Sequence, residues 1–314
     1  MPLNDWPPVA VMGAGAVGCY FGGMLARAGA PVTLIGRAAH VEAIKRKGLY
    51  LDALQFQERL PVAASTDAAA ARDAVIVLFC VKTLDTVEAA KSLAAHLAPG
   101  ATVISLQNGV DNIERIRSAT GIDAIAAVVY VAATMIAPGH VKHNGRGDLV
   151  IGDLPGRAQN AEPRRPLLEK LATLFSRSGV PCRVSENIEG ELWTKMIINC
   201  TYNAISALGR AQYWRAASNP WTRQLMINVI EEAVAVARAA GIHLPEANMV
   251  EAGLKIAETM ASAISSTAQD LARGKKTEID SLNGYLVRRG AELGVATPVN
   301  QTLHALVKLL EESV

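Results

Sequence analysis

Short apolar runs, each closed by glycine or a polar turn, set the rhythm of the first third of the chain. VAVMG (9–13), PVTLIG (31–36), AVIVLFCV (74–81) and TVISLQ (102–107) predict buried strands. Residues 16–28 predict a helix stopped by Gly29, and 84–97 a second one, with Pro99-Gly100 as its terminator. Strands apolar throughout and alternating with helices predict a parallel sheet covered on both faces. Residues 48–64 predict one or two further strands, and 121–152 extended segments turning at Pro138-Gly139 and Gly145. From about 187 the period becomes helical, with helices expected over 187–208, 219–240, 246–272, 276–293 and 299–313. Pro245 and Pro298 mark starts, and Gly241 and Gly294 mark ends. The pattern therefore predicts an α/β domain over residues 1–185 and an all-α domain over 186–314. Ligands favour clefts between domains, so chemistry is expected from residues of both.

Composition narrows the function classes. A net charge of +2 with mixed signs, and only 4% aromatic residues, argue against a nucleic-acid binder. Cys19, Cys80, Cys182 and Cys200 form no CxxC pair and suit neither a zinc site nor a disulfide framework. Most of them sit in apolar runs, as expected in a reducing, cytoplasmic setting. The N-terminus has no basic-then-apolar leader, and no apolar run is long enough to span a membrane. His140 and His143 make an HxxH pair on a predicted strand, a poor metal site without a third ligand, and no metal is expected.

Gly13-Ala14-Gly15-Ala16-Val17-Gly18 follows a predicted strand and opens a predicted helix. In that context the glycines allow a tight turn and close approach to a pyrophosphate, which the helix N-terminus then attracts. The first domain is accordingly read as a Rossmann-type dinucleotide-binding domain. NAD sites carry an acidic residue near the end of the second strand. Here Arg37 follows Gly36 instead, and its guanidinium suits a 2′-phosphate, so NADP(H) is expected over NAD(H). Lys82 and Asn108 follow the next two strands, where ligands of open parallel sheets lie. Each is equally readable as an ordinary surface or turn residue.

In the second domain LWTKMIINCTYNAISALG (192–209) is an apolar helix with a polar stripe of Lys195, Asn199 and Asn203 at intervals of four. A solvated face would carry several charges, whereas one cation and two amides look like the lining of a site. Glu278 lies between apolar positions on the predicted helix 276–293, and a carboxylate near Lys195 would keep its ammonium charged. Ser265 and Ser266, one helix earlier, are candidate donors to a substrate carboxylate.

Together these motifs resemble the ketopantoate reductase (2-dehydropantoate 2-reductase) family over essentially the whole chain. The resemblance rests on GAGAVG, Arg37, VKT (81–83), QNG (107–109), PGHVKHNG (138–145), the 192–208 helix, SSTAQD (265–270) and KTEIDSLNG (276–284). It implies NADPH-dependent reduction of the 2-keto acid ketopantoate to D-pantoate. It further implies Lys195 as general acid, Glu278 as its partner, and Asn199, Asn203 and Ser266 as substrate contacts. Arg37 and Lys82 would hold the 2′-phosphate, and Asn108 would stand where cofactor meets substrate. The chain departs from the family pattern at Ala263, at Thr267-Ala268 and over Gln212-Tyr213-Trp214-Arg215. These changes leave open a paralogue acting on another branched 2-keto acid, or an NADP-binding protein without turnover. The oligomeric state is also open, with a homodimer as the candidate assembly.

Overall fold

The computed structural model describes residues 6–155 and 164–313. The chain divides into two compact units, one up to Ile188 and one from Glu189. The first unit runs β1 (Val9–Met12), α1 (Ala16–Arg27), β2 (Val32–Ile35), α2 (Ala38–Lys47), β3 (Leu49–Asp52), β4 (Gln57–Leu60) and β5 (Ala63–Ser65). It continues through β6 (Ile76–Phe79), α3 (Thr86–Ala94), β7 (Thr102–Ser105), α4 (Asn112–Thr120), β8 (Ile125–Ala137), β9 (His140–Gly152), α5 (Arg165–Arg177) and β10 (Cys182–Val184).

All the strands among the described residues join one sheet, in the order β4-β3-β9-β8-β7-β6-β1-β2-β5, with β10 beside β9. From β5 through β2, β1, β6 and β7 to β8 every pairing is parallel. This is the doubly wound order, whose direction reverses between β1 and β6, the switch point where ligands of such sheets bind. β6 reads as a continuous apolar run because all four of its residues are buried. Across the sheet α1 lays Cys19, Tyr20, Phe21, Met24 and Leu25 into a core shared with Val9, Val11, Leu34 and Leu78.

The sequence pattern predicted a parallel sheet, but the sheet is mixed. The extended stretch 121–152 folds as a hairpin, with β8 and β9 antiparallel and their register shifted three times. β3 and β4 also pair antiparallel. The two HxxH histidines occupy different surroundings: His140 packs on Tyr50, whereas His143 stacks on Tyr20.

The second unit is helical: α6 (Ile188–Gly209), α7 (Tyr213–Ser218), α8 (Pro220–Ala239), α9 (Met249–Thr259), α10 (Ser266–Leu271), α11 (Asn283–Leu293) and α12 (Pro298–Glu311). α8 starts as its sequence dictates, with Asn219 accepting from the amides of Trp221 and Thr222 and Pro220 in the first turn. Its buried stripe of Met226, Val229, Ile230, Ala233, Val236 and Ala237 follows the helical period. Each large apolar side chain on it contributes about 1.5–3 kcal/mol by leaving water. The N-terminus of α12 is capped from α8, where the Glu232 carboxylate accepts from the amides of Val299 and Asn300.

Two predicted helices are broken. The helix expected over 246–272 is α9 and α10, because Ala261 and Ala263 turn their carbonyls to the amides of Trp214 and Tyr213. The helix expected over 276–293 begins only at Asn283, and Glu278 opens a short 3₁₀ turn before it. Among the described residues no helix is long and apolar enough to cross a membrane. All four cysteines are free thiols. Burial pushes Cys19 and Cys182 up to about 12, the second despite the opposing charge of Arg183, and Cys80 and Cys200 higher still.

Candidate active site

In the first unit the glycine-rich turn leaves β1 at the switch point. Gly13 has φ +110, and a Cβ there would stand 2.7 Å from the Cys80 carbonyl carbon and the Val81 nitrogen. Only glycine fits, so the turn is pressed onto the end of β6. A Cβ on Gly18 would lie 2.2 Å from the Gly13 oxygen, which fixes how closely α1 approaches the turn. Gly15 differs: a Cβ there would meet nothing within 4 Å. It is the N-cap of α1, without a side-chain cap. The first-turn amides of a helix have no intrahelical acceptor and attract an anion. A closed turn with one open glycine ahead of such a helix fits a dinucleotide pyrophosphate.

Arg37 stands at the N-cap of α2, and its backbone is held close to the same turn. A Cβ on neighbouring Gly36 would come within 2.6 Å of the Ala14 Cβ. The Arg37 side chain is 85% exposed, and its Nη2 lies 3.5 Å from Asp85 Oδ2. Lys82, also exposed, opens the 3₁₀ turn that carries Asp85.

The loops after β6 and β7 are stitched together by four buried polar side chains, Thr83, Thr86, Gln107 and Asn112. Gln107 Nε2 donates to the Val81 carbonyl at 3.1 Å and to Thr86 Oγ1 at 2.7 Å, while its Oε1 accepts from Ser105. Asn112 Nδ2 donates to the Asn108 carbonyl at 2.6 Å, and Thr83 Oγ1 donates to the same oxygen at 3.4 Å. Asn108 is thus held through its backbone carbonyl, and its side chain is half-buried. Of these four, Thr83 and Gln107 fall in motifs the sequence singled out, VKT and QNG. The others sit where a strand end meets a helix start, and that position is the only signal they carry.

In the second unit the stripe on α6 keeps its predicted spacing. Lys195 and Asn199 are half-buried and Asn203 is 4% exposed. At 1.5 Å per residue the stripe spans about 12 Å. Asn203 Nδ2 donates to Ser266 Oγ at 3.4 Å, which brings together two candidate substrate contacts 63 residues apart. The two serines differ in role. Ser265 is buried, donating to the Asn203 carbonyl at 3.1 Å and capping α10 at the Ala268 amide. Ser266 is exposed.

Glu278 is half-buried, with both sides of its turn anchored to α12. Glu311 Oε1 accepts from the Thr277 amide and hydroxyl, each at 2.6 Å. Asp280 accepts from Lys308 at 2.9 Å and lies 2.6 Å from His304 Nε2. Burial alone would raise the Asp280 carboxyl, but the hydrogen bonds from His304 and Lys308 outweigh it and hold it low. α11 is tied to α6 at two points: Asn283 Nδ2 donates to the Cys200 carbonyl at 3.2 Å, and Tyr285 meets Trp193 edge-on. The turn that carries Glu278 therefore leads into a helix bonded to α6, the helix of Lys195.

Comparison with known proteins agrees with these motifs. A model described as ketopantoate reductase PanE/ApbA matches residues 9–156, and its C-terminal counterpart matches 187–311. A 2-dehydropantoate 2-reductase of Pyrococcus abyssi is 34% identical over 298 residues, 95% of this chain and 96% of the relative. A PanE/ApbA family ketopantoate reductase structure from Ralstonia eutropha JMP134 is 50% identical, with TM-score 0.90, covering 98% of this chain and 99% of that one. A D-mandelate dehydrogenase structure holding NADH and anilino(oxo)acetate is 25% identical, also with TM-score 0.90, covering 98% and 99%.

Proposed function

The chain belongs to the ketopantoate reductase family of oxidoreductases, and from that premise we propose that it reduces ketopantoate to pantoate with NADPH. The observation that carries the reading is the contact of Asn203 with Ser266, on the helix that also bears Lys195. Three residue types that reduction of a 2-keto acid calls for are thereby gathered in one unit: a cation, an amide and an exposed hydroxyl.

The glycine-rich turn, Arg37 and Lys82 would hold the dinucleotide, with Arg37 taking the 2′-phosphate as a fork. When bound, the reduced nicotinamide supplies the two electrons and the hydrogen that turn the keto carbon into a carbinol. Negative charge then builds on the ketone oxygen, and the Lys195 ammonium neutralises it and gives up its proton there. Glu278 keeps that ammonium charged and oriented. Asn199, Asn203 and Ser266 orient the substrate through its carboxylate and hydroxyl, and Asn108 serves the side where substrate faces the nicotinamide. The balance is one keto acid, one NADPH and one proton giving one hydroxy acid and one NADP⁺.

A second reading keeps the reaction and changes the acid. The segments that depart from the family pattern are bonded to each other, Tyr213 amide to Ala263 carbonyl at 3.0 Å and Trp214 amide to Ala261 carbonyl at 3.1 Å. They form one patch running into Ser265 and Ser266, and a D-mandelate dehydrogenase shares the fold at full length. Steady-state oxidation of NADPH against a panel of 2-keto acids, aliphatic and aryl, separates the two. Ketopantoate should give the highest kcat/KM, and a higher value for an aryl keto acid would replace the first reading with the second.

A further inference from the structure

We propose that Asp85 sets the coenzyme preference of this protein by opposing Arg37, so that the site accepts both NADPH and NADH. The proposal rests on the reading of the glycine-rich turn and Arg37 as the dinucleotide site.

The sequence places an arginine where NAD sites carry a carboxylate at the end of the second strand. The structure supplies a carboxylate to the same place from a different strand end. Asp85 comes from the turn after β6, and its Oδ2 lies 3.5 Å from Arg37 Nη2. Both groups are held by the backbone of the turn itself. Gly36 packs on Ala14 beside Arg37, and Gly13 packs on Cys80 and Val81 ahead of Lys82. The Asp85 turn is closed by its own amide bonding the Lys82 carbonyl at 2.9 Å. It is anchored below by buried Thr83 and by Gln107 on the Val81 carbonyl. A group that reaches the Arg37 fork therefore meets the Asp85 carboxylate as well.

The two charges act oppositely on the two coenzymes. A 2′-phosphate gains from the guanidinium and is repelled by the carboxylate. A 2′-hydroxyl gains little from the guanidinium, but can donate to the carboxylate, as it does to the acidic residue of NAD sites. The Asp85 side chain is 52% exposed, so water and salt limit the effect. An exposed charge pair is worth up to about 1 kcal/mol, a change in affinity of up to about fivefold.

The test is direct binding without substrate: titration of wild type, Asp85→Asn and Arg37→Ala with NADPH and with NADH, followed by coenzyme fluorescence. Asp85→Asn keeps the shape and removes the charge. It should tighten NADPH about two- to fivefold without tightening NADH, and the gain should shrink as salt rises. Unchanged or weaker NADPH binding by Asp85→Asn overturns the proposal. Arg37→Ala tests the premise separately: it should weaken NADPH much more than NADH. Equal weakening of both would refute the 2′-phosphate reading itself.

Discussion

Glu311, near the end of α12, gives the sharpest test of how the Glu278 turn is held. Its side chain is 8% exposed. It accepts two hydrogen bonds from Thr277, a residue only 1% exposed, and one from Lys308 at 2.8 Å. Replacing Glu311 by Ala leaves the buried amide and hydroxyl of Thr277 without an acceptor, at about 1–3 kcal/mol each. Lys308 is 40% exposed and keeps Asp280, so its loss adds little. With water entering the vacated space, a net cost of about 2–4 kcal/mol is expected. Unfolding entropy is about 2.1 cal/mol/K per residue, so this lowers Tm by roughly 8–15 °C if the second unit melts alone and roughly 3–6 °C if the chain melts as one. Burial alone would raise the Glu311 carboxyl, but the bonds from Lys308 and Thr277 hold it below its ordinary 4.5. A carboxyl whose folded pKa is depressed contributes stability above its unfolded pKa and loses it as pH falls through the folded value. The gap between wild type and Glu311→Ala should therefore be full at pH 7 and narrow as the pH drops below 4.5. Thermal melts followed by circular dichroism across that range measure it. A variant melting within about 1 °C of wild type at pH 7, or a gap independent of pH, would refute the charged anchor. Because Thr277 and Asp280 bracket Glu278, keto-acid turnover should fall along with stability.

Lys195→Ala should lower kcat by about 10²–10⁴, the usual share of a general acid, while the fold is kept; a loss under about tenfold in stopped-flow turnover removes it from that role. Gly18→Ala places a Cβ against the Gly13 oxygen and should cost NADPH affinity at least about tenfold in a fluorescence titration. Native affinity would show that the turn yields. Gln107→Leu leaves the Val81 carbonyl without its side-chain donor and should cost about 1–3 kcal/mol in urea unfolding, with weaker coenzyme binding alongside. Wild-type values for both would mean the two loops do not depend on that bridge.

The parallel strands were legible because a strand buried on both faces leaves nothing polar to obscure it, as in β6. α4 was not, since NIERIRSAT buries only Asn112, Ile113 and Ile116 and carries three charges on nine residues. α5 was missed although Leu168, Leu171 and Phe175 follow the helical period. The breaks in the second unit were invisible for another reason. Residues 260–265 have no local bar to helix, and it is bonds to Tyr213 and Trp214, some 50 residues upstream, that turn the chain. The same holds for the site. The stripe on α6 is a local periodicity and was readable, whereas Asp85 beside Arg37, or Glu311 beneath Thr277, exists only once distant segments meet.

The free thiols make the molecule its own reporter. A thiol held near 12 is ionised at neutral pH about three orders of magnitude less than a free cysteine, and only the thiolate reacts with an alkylating reagent. Labelling of buried Cys19 therefore times openings of the first unit, while Cys200, buried on the helix of Lys195, times those of the second. Cys80 lies directly under the glycine turn, with its carbonyl carbon 2.7 Å from where a Gly13 Cβ would be. A dinucleotide seated on that turn should slow its alkylation and leave Cys200 as the internal clock.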